Sequence, residues 1–307
     1  MSRRGAPAQG MVGPAPGRAA GGSNARAPAP GEELIKRAIP VSGEQIPPIG
    51  LGTYQVFDVA ANPSSRARLE AVLLSLVERG GSLVDSSPMY GRAEARVGDV
   101  VAELDLRQSV FLATKVWTSG HDAGVRQMEA SLRLLRTQAV DLMQIHNLVD
   151  WKTHTATLKQ WQQQGRVRYI GITHYHEGAY ADLERLIKTR QYAFVQLNYS
   201  IAEREAEDTV LPAAQELGVA VIANRPFAKA SLFSRVRGKA LPEWAQEFDC
   251  RSWAQFFLKY IVSHPAVTCA IPATANPEHM EDNMMAGVGR LPDGPMRRRM
   301  AKHVDEL

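Results

Sequence analysis

Residues 83–91 read Leu-Val-Asp-Ser-Ser-Pro-Met-Tyr-Gly, and the rest of the chain can be interpreted outward from this stretch. The apolar start follows a Gly-Gly pair and is too short for a helix, which predicts a strand that ends at Asp85. Ser-Ser-Pro then interrupts regular structure, and residues 92–105 carry apolar side chains at helical spacing. Tyr90 is therefore expected in a loop at the carboxyl end of a strand, where α/β folds place their chemistry.

Strands and helices alternate over the rest of the chain. Eight short apolar or β-branched runs predict strands, at 46–54, 83–85, 110–116, 140–146, 169–173, 194–197, 219–223 and 267–271. Helical periodicity occurs at 65–79, 92–105, 123–136, 153–164, 179–188, 205–216, 252–263 and 277–285. Short connections between alternating elements indicate a parallel sheet, and eight units over 34–307 predict a (β/α)8 TIM barrel. Residues 34–46 predict an N-terminal β-hairpin that caps the barrel.

A doubly wound sheet is the alternative fold for the same alternation. The glycine fingerprint of its phosphate loop is missing, because residues 50–55 contain two glycines and then a glutamine. A Walker A motif is also missing, since Gly238-Lys239 is followed by Ala240. The chain has no His-Glu-x-x-His motif and no clustered Cys/His spacing, so we predict no metal site.

The first 33 residues differ in composition from the rest. They are rich in Ala, Gly, Pro and Arg and hold few large apolar side chains, which predicts a disordered leader before a single barrel domain at 34–307. Ser2-Arg3-Arg4 resembles the start of a twin-arginine export signal, but no continuous apolar stretch follows it. A cytoplasmic location is favoured, and periplasmic export by the twin-arginine route is the alternative.

Charge and cysteine content exclude several classes of partner. Four arginines and no acids in residues 1–30 account for the whole formal charge of +4, so residues 31–307 carry no net charge. A neutral folded part does not favour nucleic acid. The two cysteines, Cys250 and Cys269, are too few for a disulfide framework and read as buried small residues. No apolar run is long enough to predict a membrane span.

Four titratable groups are expected at one end of the predicted barrel, namely Asp85, Tyr90, Lys115 and His146. Each alone has an ordinary explanation, such as a turn cap, a rim residue, a lysine reaching water or a core histidine. Together they complement one another, because a buried ammonium lowers the pKa of a phenol and a carboxylate holds the ammonium in place. This set suits protonation of a carbonyl oxygen.

The order and placement of these four residues resemble the tetrad of the aldo-keto reductase superfamily. Further similar stretches are Gly50-Leu-Gly-Thr, the Tyr90-Gly turn with Glu94 and Gly98, and residues 140–146, 171–175 and 271–279. The resemblance implies a barrel that reduces aldehydes and ketones with NADP(H), or less often NAD(H), without a metal. It also implies that Tyr90 protonates the carbonyl oxygen, that Lys115 and Asp85 tune Tyr90, and that His146 positions the substrate.

The resemblance also implies a set of cofactor contacts. These are Gly52, Thr53, Asp85, Thr173, His174, Gln196, Asn224, Arg225, Pro226, Phe227, Ile271, Thr274, His279 and Asn283. Asn224 replaces a tyrosine that often stacks on the nicotinamide. Ala273 and His279 stand where a lysine and an arginine commonly contact the 2′-phosphate. Two cations of the family pattern are thus missing, and the preference for NADP(H), with NAD(H) as the alternative, comes from the resemblance to the family as a whole.

Aromatic residues at strand ends predict the character of the substrate pocket. Tyr54, Phe57 and Trp117 are expected to line it together with Tyr90 and His146. The tail after residue 290 is short and basic and lacks bulky apolar residues to fold over a site, which favours a wide pocket for small aldehydes or ketones. The alternative function is a cofactor-binding redox sensor or regulatory partner protein on the same barrel.

Overall fold

The structure is a computed structural model that describes residues 33–307. The predicted leader, 1–33, lies outside these residues except for Glu33. The described chain begins with an antiparallel hairpin of β1 (Arg37–Ala38) and β2 (Gln45–Ile46). Ile39 and Ile46 from this hairpin are buried in the same cluster as residues from inside the barrel. This confirms the predicted hairpin cap.

Eight parallel strands form the barrel. They are β3 (Leu51–Gly52), β4 (Leu83–Asp85), β5 (Phe111–Val116), β6 (Val140–His146), β7 (Val167–His174), β8 (Phe194–Asn198), β9 (Ala220–Asn224) and β10 (Val267–Ala270). Parallel bridges from Ile49 to Ala270 and from Gly52 to Ala273 join the first strand to the last, which confirms the (β/α)8 prediction. The first strand is much shorter than the predicted 46–54, because prolines 47 and 48 have no N–H to donate to a ladder.

Ten α-helices occur within residues 33–307. They are α1 (Pro63–Glu78), α2 (Ala93–Glu103), α3 (His121–Leu134), α4 (Trp151–Gln163), α5 (Tyr180–Ile187), α6 (Val210–Leu217), α7 (Ser231–Arg235), α8 (Trp253–Val262), α9 (Pro277–Met284) and α10 (Gly294–Asp305). The predicted helix 205–216 differs in its first turn, where Glu205–Asp208 is a separate 3-10 helix. Within this described part, no helix combines the length and apolar character needed to cross a bilayer.

The basic tail forms a helix that the sequence reasoning did not anticipate. Met300 and Val304 of α10 are fully buried, and the Arg297 guanidinium lies 4.2 Å from the centre of the Tyr260 ring on α8. Arg297 also pairs with Glu207 at 2.7 Å. The tail therefore packs on the barrel through a few apolar side chains and several ion pairs, of which Arg297–Glu207 is the most buried.

Side chains alternate along the strands, and the inward-facing ones form two layers. The lower layer contains the packed rings of Phe111, Tyr169 and Phe194, with centroids 5.5–6.0 Å apart. Side chains two and four residues further along a strand point to the same face, so Gln196 lies inward above Phe194 and Lys115 lies inward above Phe111. The aromatic layer thus closes the lower barrel and supports a polar layer at the carboxyl ends of the strands.

Candidate active site

An ion pair lies at the centre of the polar layer. The Nζ atom of Lys115, on β5, is 2.6 Å from Oδ2 of Asp85, at the end of β4, and both side chains are buried. Nζ also donates to the carbonyl oxygen of Ser86 at 2.8 Å. Burial alone lowers the pKa of Lys115, but the Asp85 carboxylate and the Tyr90 phenol raise that pKa above its ordinary value on balance. Lys115 is therefore an ammonium.

Two glutamines complete the surroundings of Asp85. Nε2 of Gln144 lies 3.2 Å from Oδ1 of Asp85, and Nε2 of Gln196 lies 3.5 Å from Oδ2. Gln144 also donates to Oε1 of Gln196 at 2.7 Å. Burial raises the pKa of Asp85, and Lys115 and the two glutamines oppose that shift. Gln144 was not predicted as a site residue, although its inward position two residues before His146 indicated one.

Tyr90 lies beside this ion pair in the loop after β4. The Lys115 ammonium is 5.0 Å from the centre of the Tyr90 ring, and Tyr54 packs edge-on against the ring at 5.0 Å. Burial raises the pKa of Tyr90, and Lys115 opposes part of that shift. The predicted net lowering of this pKa was wrong, because desolvation of the phenolate outweighs attraction to the ammonium. Tyr90 therefore keeps its proton near neutral pH.

His146 ends β6 and faces Tyr90 across the site. The two ring centroids are 6.0 Å apart with nearly perpendicular planes, and Nδ1 of His146 lies 3.0 Å from Oγ of Ser87. Burial, followed by the charge of Lys115, lowers the pKa of His146 to about 2. The imidazole is therefore neutral, so it can orient a polar group but has no imidazolium proton to give.

Aromatic side chains surround the mouth of this cavity. Tyr54 is 50% exposed and Trp117 is 41% exposed, and the Trp117 ring lies 6.3 Å from that of His146. The backbone of Trp117 exchanges two hydrogen bonds with the side-chain amide of Gln127. The expected contribution of Phe57 was wrong, since that ring is fully buried in the core between sheet and helices.

Several predicted cofactor residues lie next to the tetrad. Thr53 is buried and donates to the carbonyl oxygen of Asp85 at 2.9 Å. Thr173 pairs in register with Gln196 on the neighbouring strand. Asn224, at the end of β9, holds a buried Oδ1 atom that has no hydrogen-bond partner within residues 33–307. Polar groups thus line the adjacent ends of β7, β8 and β9.

His174 and the loop after β9 meet beyond these strand ends. The His174 ring stacks on Tyr175 at 5.4 Å, and the Arg225 guanidinium lies 4.2 Å from the Tyr175 ring centre. Arg225 adopts a left-handed backbone conformation with φ 51°. Pro226 is buried, and the Phe227 ring packs 4.8 Å from Phe233. The loop therefore places Arg225 against Tyr175 and Phe227 against Phe233 of α7.

An open pocket of about 550 Å³ lies at the start of α9. The predicted residues Thr274 and His279 line it, together with Asn276, Pro277 and the α1 residue Arg68. The Asn276 side chain caps α9 by accepting from the amide of Glu278.

The other predicted contacts from this region do not line that pocket and are more enclosed. Ile271 belongs to the cluster inside the barrel, and Asn283 is buried on α9. At Gly52 an added Cβ atom would lie 2.8 Å from the carbonyl oxygen of Ile271, so a larger residue does not fit between these strands. Thr274 and His279 are thus the predicted residues with direct access to the pocket.

Comparisons with known proteins agree with this architecture. The chain is 30% identical over 259 residues to methylglyoxal reductase YeaE of Escherichia coli strain K12, covering 81% of this chain and 89% of YeaE. An aldo/keto reductase from Klebsiella pneumoniae, solved with NADP and acetate, superposes with a TM-score of 0.70 at 25% identity, covering 85% of this chain and 93% of that one. One solved with NADPH gives 0.72 at 25% identity, covering 88% and 96%. The sequence model of the aldo/keto reductase family matches residues 48–301, and the chain belongs to that family.

Proposed function

We propose that this protein reduces small aldehydes or ketones to alcohols with NADPH, and that Tyr90 gives the proton. Membership of an oxidoreductase family sets the reaction class. The observation that carries the residue roles is the buried Lys115–Asp85 pair at 2.6 Å beside the Tyr90 ring. This match to reductases does not favour the alternative of a redox-sensing partner protein.

The chain's own groups fit a nicotinamide at the strand ends. The buried, unpartnered Oδ1 of Asn224 is an acceptor for an amide N–H, and Thr173 and Gln196 add polar atoms on the neighbouring strands. A bound reduced nicotinamide supplies a hydride to the carbonyl carbon. We assign to four residues the role of holding this ring, namely Thr173, His174, Gln196 and Asn224. We assign Gly52 and Thr53 to the wall of the site next to the ring.

The electrostatics of the tetrad explain how the substrate oxygen receives its proton. Tyr90 and the neutral His146 both offer hydrogen bonds to a carbonyl oxygen placed between their rings. As negative charge develops on that oxygen, the Tyr90 hydroxyl donates its proton. The Lys115 ammonium stabilises the resulting phenolate, and Asp85 holds Lys115 in place.

The pocket beside α9 suits the phosphate end of the cofactor. Pro277 has no N–H and the Glu278 N–H already donates to Asn276, so at the start of α9 it is the helix dipole that favours an anion, and Arg68 adds a positive charge from α1. Arg68 is exposed and lines the pocket, which leaves its guanidinium available to a ligand. We assign to Arg68 the role of a cation missing from the family pattern, with His279 beside it as a hydrogen-bonding group, and this supports NADPH over NADH.

The substrate is proposed from the shape of the mouth and from the relative. Tyr54 and Trp117 offer aromatic surface, yet about half of each side chain remains exposed, so a short carbonyl compound fits without being enclosed. YeaE is a methylglyoxal reductase, which makes methylglyoxal the first compound to test. Because the reaction consumes NADPH, we propose the cytoplasm as the compartment.

The test is steady-state reduction by the purified full chain. We expect NADPH to be oxidised when methylglyoxal or another small aldehyde is added, and expect NADH to serve less well. The same preparation should bind NADPH, seen as a change in fluorescence of tryptophans such as Trp117. NADPH binding without turnover of any small aldehyde or ketone would contradict the proposal and would revive the regulatory alternative.

A further inference from the structure

Ser87 lies between Asp85 and Tyr90 in the loop after β4 and is fully buried. Its hydroxyl is 3.0 Å from Nδ1 of His146. The backbone amide of Met89 donates to the same hydroxyl oxygen at 3.3 Å. The carbonyl oxygen of Ser87 accepts from the amide of Tyr90 at 3.0 Å. One residue therefore contacts both the histidine and the turn that carries the tyrosine.

The direction of the Ser87–His146 hydrogen bond can be worked out from these contacts. The Ser87 oxygen already accepts from Met89, and its own proton needs an acceptor because the group is buried. Within residues 33–307, Nδ1 of His146 is the acceptor in reach of that hydroxyl. If Nδ1 carried the proton instead, the Ser87 proton would be left unpaired. The hydroxyl therefore donates and Nδ1 accepts.

Donation to Nδ1 fixes the state of the other ring nitrogen. A neutral imidazole carries one proton, so an accepting Nδ1 leaves that proton on Nε2. No group within residues 33–307 hydrogen-bonds to Nε2, and the ring lies 6.0 Å from the Tyr90 ring and 6.3 Å from the Trp117 ring at the mouth. An Nε2–H at this place is a donor for the carbonyl oxygen of a substrate.

We propose that Ser87 is a positioning residue that holds His146 as its Nε2–H tautomer, so that His146 donates to the substrate oxygen beside Tyr90. The inference rests on the proposed function for its kinetic consequence. Its structural content, the tautomer and its dependence on Ser87, stands independently of any turnover.

The direct test is NMR of full-length protein with isotope-labelled histidine, in which ring carbon and nitrogen shifts distinguish the two neutral tautomers. The His146 signal is assigned by its loss in His146→Gln. We expect Nε2–H in the wild type, a mixture of tautomers in Ser87→Ala, and Nε2–H again in Ser87→Thr, which keeps the hydroxyl. A wild-type signal for Nδ1–H overturns the proposal even if neither variant folds, as does a Ser87→Ala signal equal to the wild type.

Kinetics then separate positioning from a merely structural role. Ser87→Ala should lower kcat roughly tenfold while leaving the NADPH dissociation constant within about twofold, because only the donor to the carbonyl oxygen is disturbed. Ser75→Ala, a matched change of a buried serine on α1, should leave both values unchanged. An unchanged kcat in Ser87→Ala, in a wild type that does reduce carbonyls, refutes the inference alone. A wild type that binds NADPH but reduces nothing refutes the proposed function instead.

Discussion

Replacing Lys115 with methionine tests the central ion pair, since methionine keeps much of the length of the side chain and removes the charge. The Asp85 carboxylate then loses the ammonium at 2.6 Å and keeps two glutamine amides as its remaining side-chain donors. Asp85 is buried, so it cannot recover that loss from water. The least costly relief is for Asp85 to take up a proton.

The free energy needed to protonate Asp85 sets the size of the stability loss. Protonating a carboxyl with an ordinary pKa of about 3.9 near pH 7 costs roughly 4 kcal/mol, at about 1.4 kcal/mol per pH unit. Breaking a buried ion pair by removing one partner typically costs about 3–5 kcal/mol, which agrees. Burial already raises the pKa of Asp85 in the wild type, and removing Lys115 raises it further, so the native state of the variant binds a proton that the unfolded state releases. The stability loss should therefore shrink as the pH falls, by about 3 kcal/mol between about pH 7 and about pH 5.

Urea unfolding of the full chain at those two pH values measures this loss. The matched control is the double variant Asp85→Asn with Lys115→Met, which has no buried charge left unpaired. It should recover most of the stability at both pH values and should still lack activity, because Tyr90 has no ammonium beside it. A stability loss that does not change with pH, or a double variant as unstable as the single one, would refute the electrostatic reasoning.

Three further predictions concern activity. Tyr90→Phe should lower kcat by roughly 10²–10⁴-fold with NADPH binding retained, and near-normal turnover would remove Tyr90 as the acid. Between about pH 5 and about pH 8, kcat should not change with pH, because the pKa of His146 is about 2 and the pKa of Tyr90 is raised. The proton donor is then lost only in strong alkali, and an inflection of kcat near pH 6.5 would contradict this. Arg68→Glu should weaken NADPH binding by about tenfold or more and NADH binding far less, whereas Arg133→Glu, the same charge change on α3, should affect neither; equal losses for both cofactors would rule out a phosphate contact.

The barrel could be predicted because its signal is repeated eight times along the chain. A single ambiguous run, such as the one that shrinks to Leu51–Gly52, does not change the count. The C-terminal helix gives a weaker signal, since only a few positions such as Met300 and Val304 face the core and half of its residues are Arg, Lys, His or Asp. Its packing also depends on Arg297 reaching Glu207, a contact between residues 90 positions apart that no local pattern reveals.

The tetrad could be predicted because strand ends of a barrel converge whatever their separation in sequence. The missed residues are of another kind. Gln144, Ser87 and Arg68 have common side chains in unremarkable local sequences, and their importance comes from what they face. Gln144 matters through Asp85, and Ser87 matters through a bond across 59 residues to His146. These roles depend on contacts in the folded barrel and cannot be predicted from the spacing of residues in the sequence.

The pKa of Tyr90 is raised and not lowered as predicted, and this direction matters for how the tetrad works. A phenol whose pKa was lowered toward neutrality would lose its proton in part of the resting enzyme and would not be a dependable acid. Burial keeps Tyr90 protonated at rest, while Lys115, already placed by Asp85, favours the phenolate that forms when the proton leaves. The attraction between Lys115 and Tyr90 therefore grows as the proton moves to the substrate oxygen. An interaction that strengthens only along the reaction lowers the barrier without stabilising the resting state, which is the condition for catalysis.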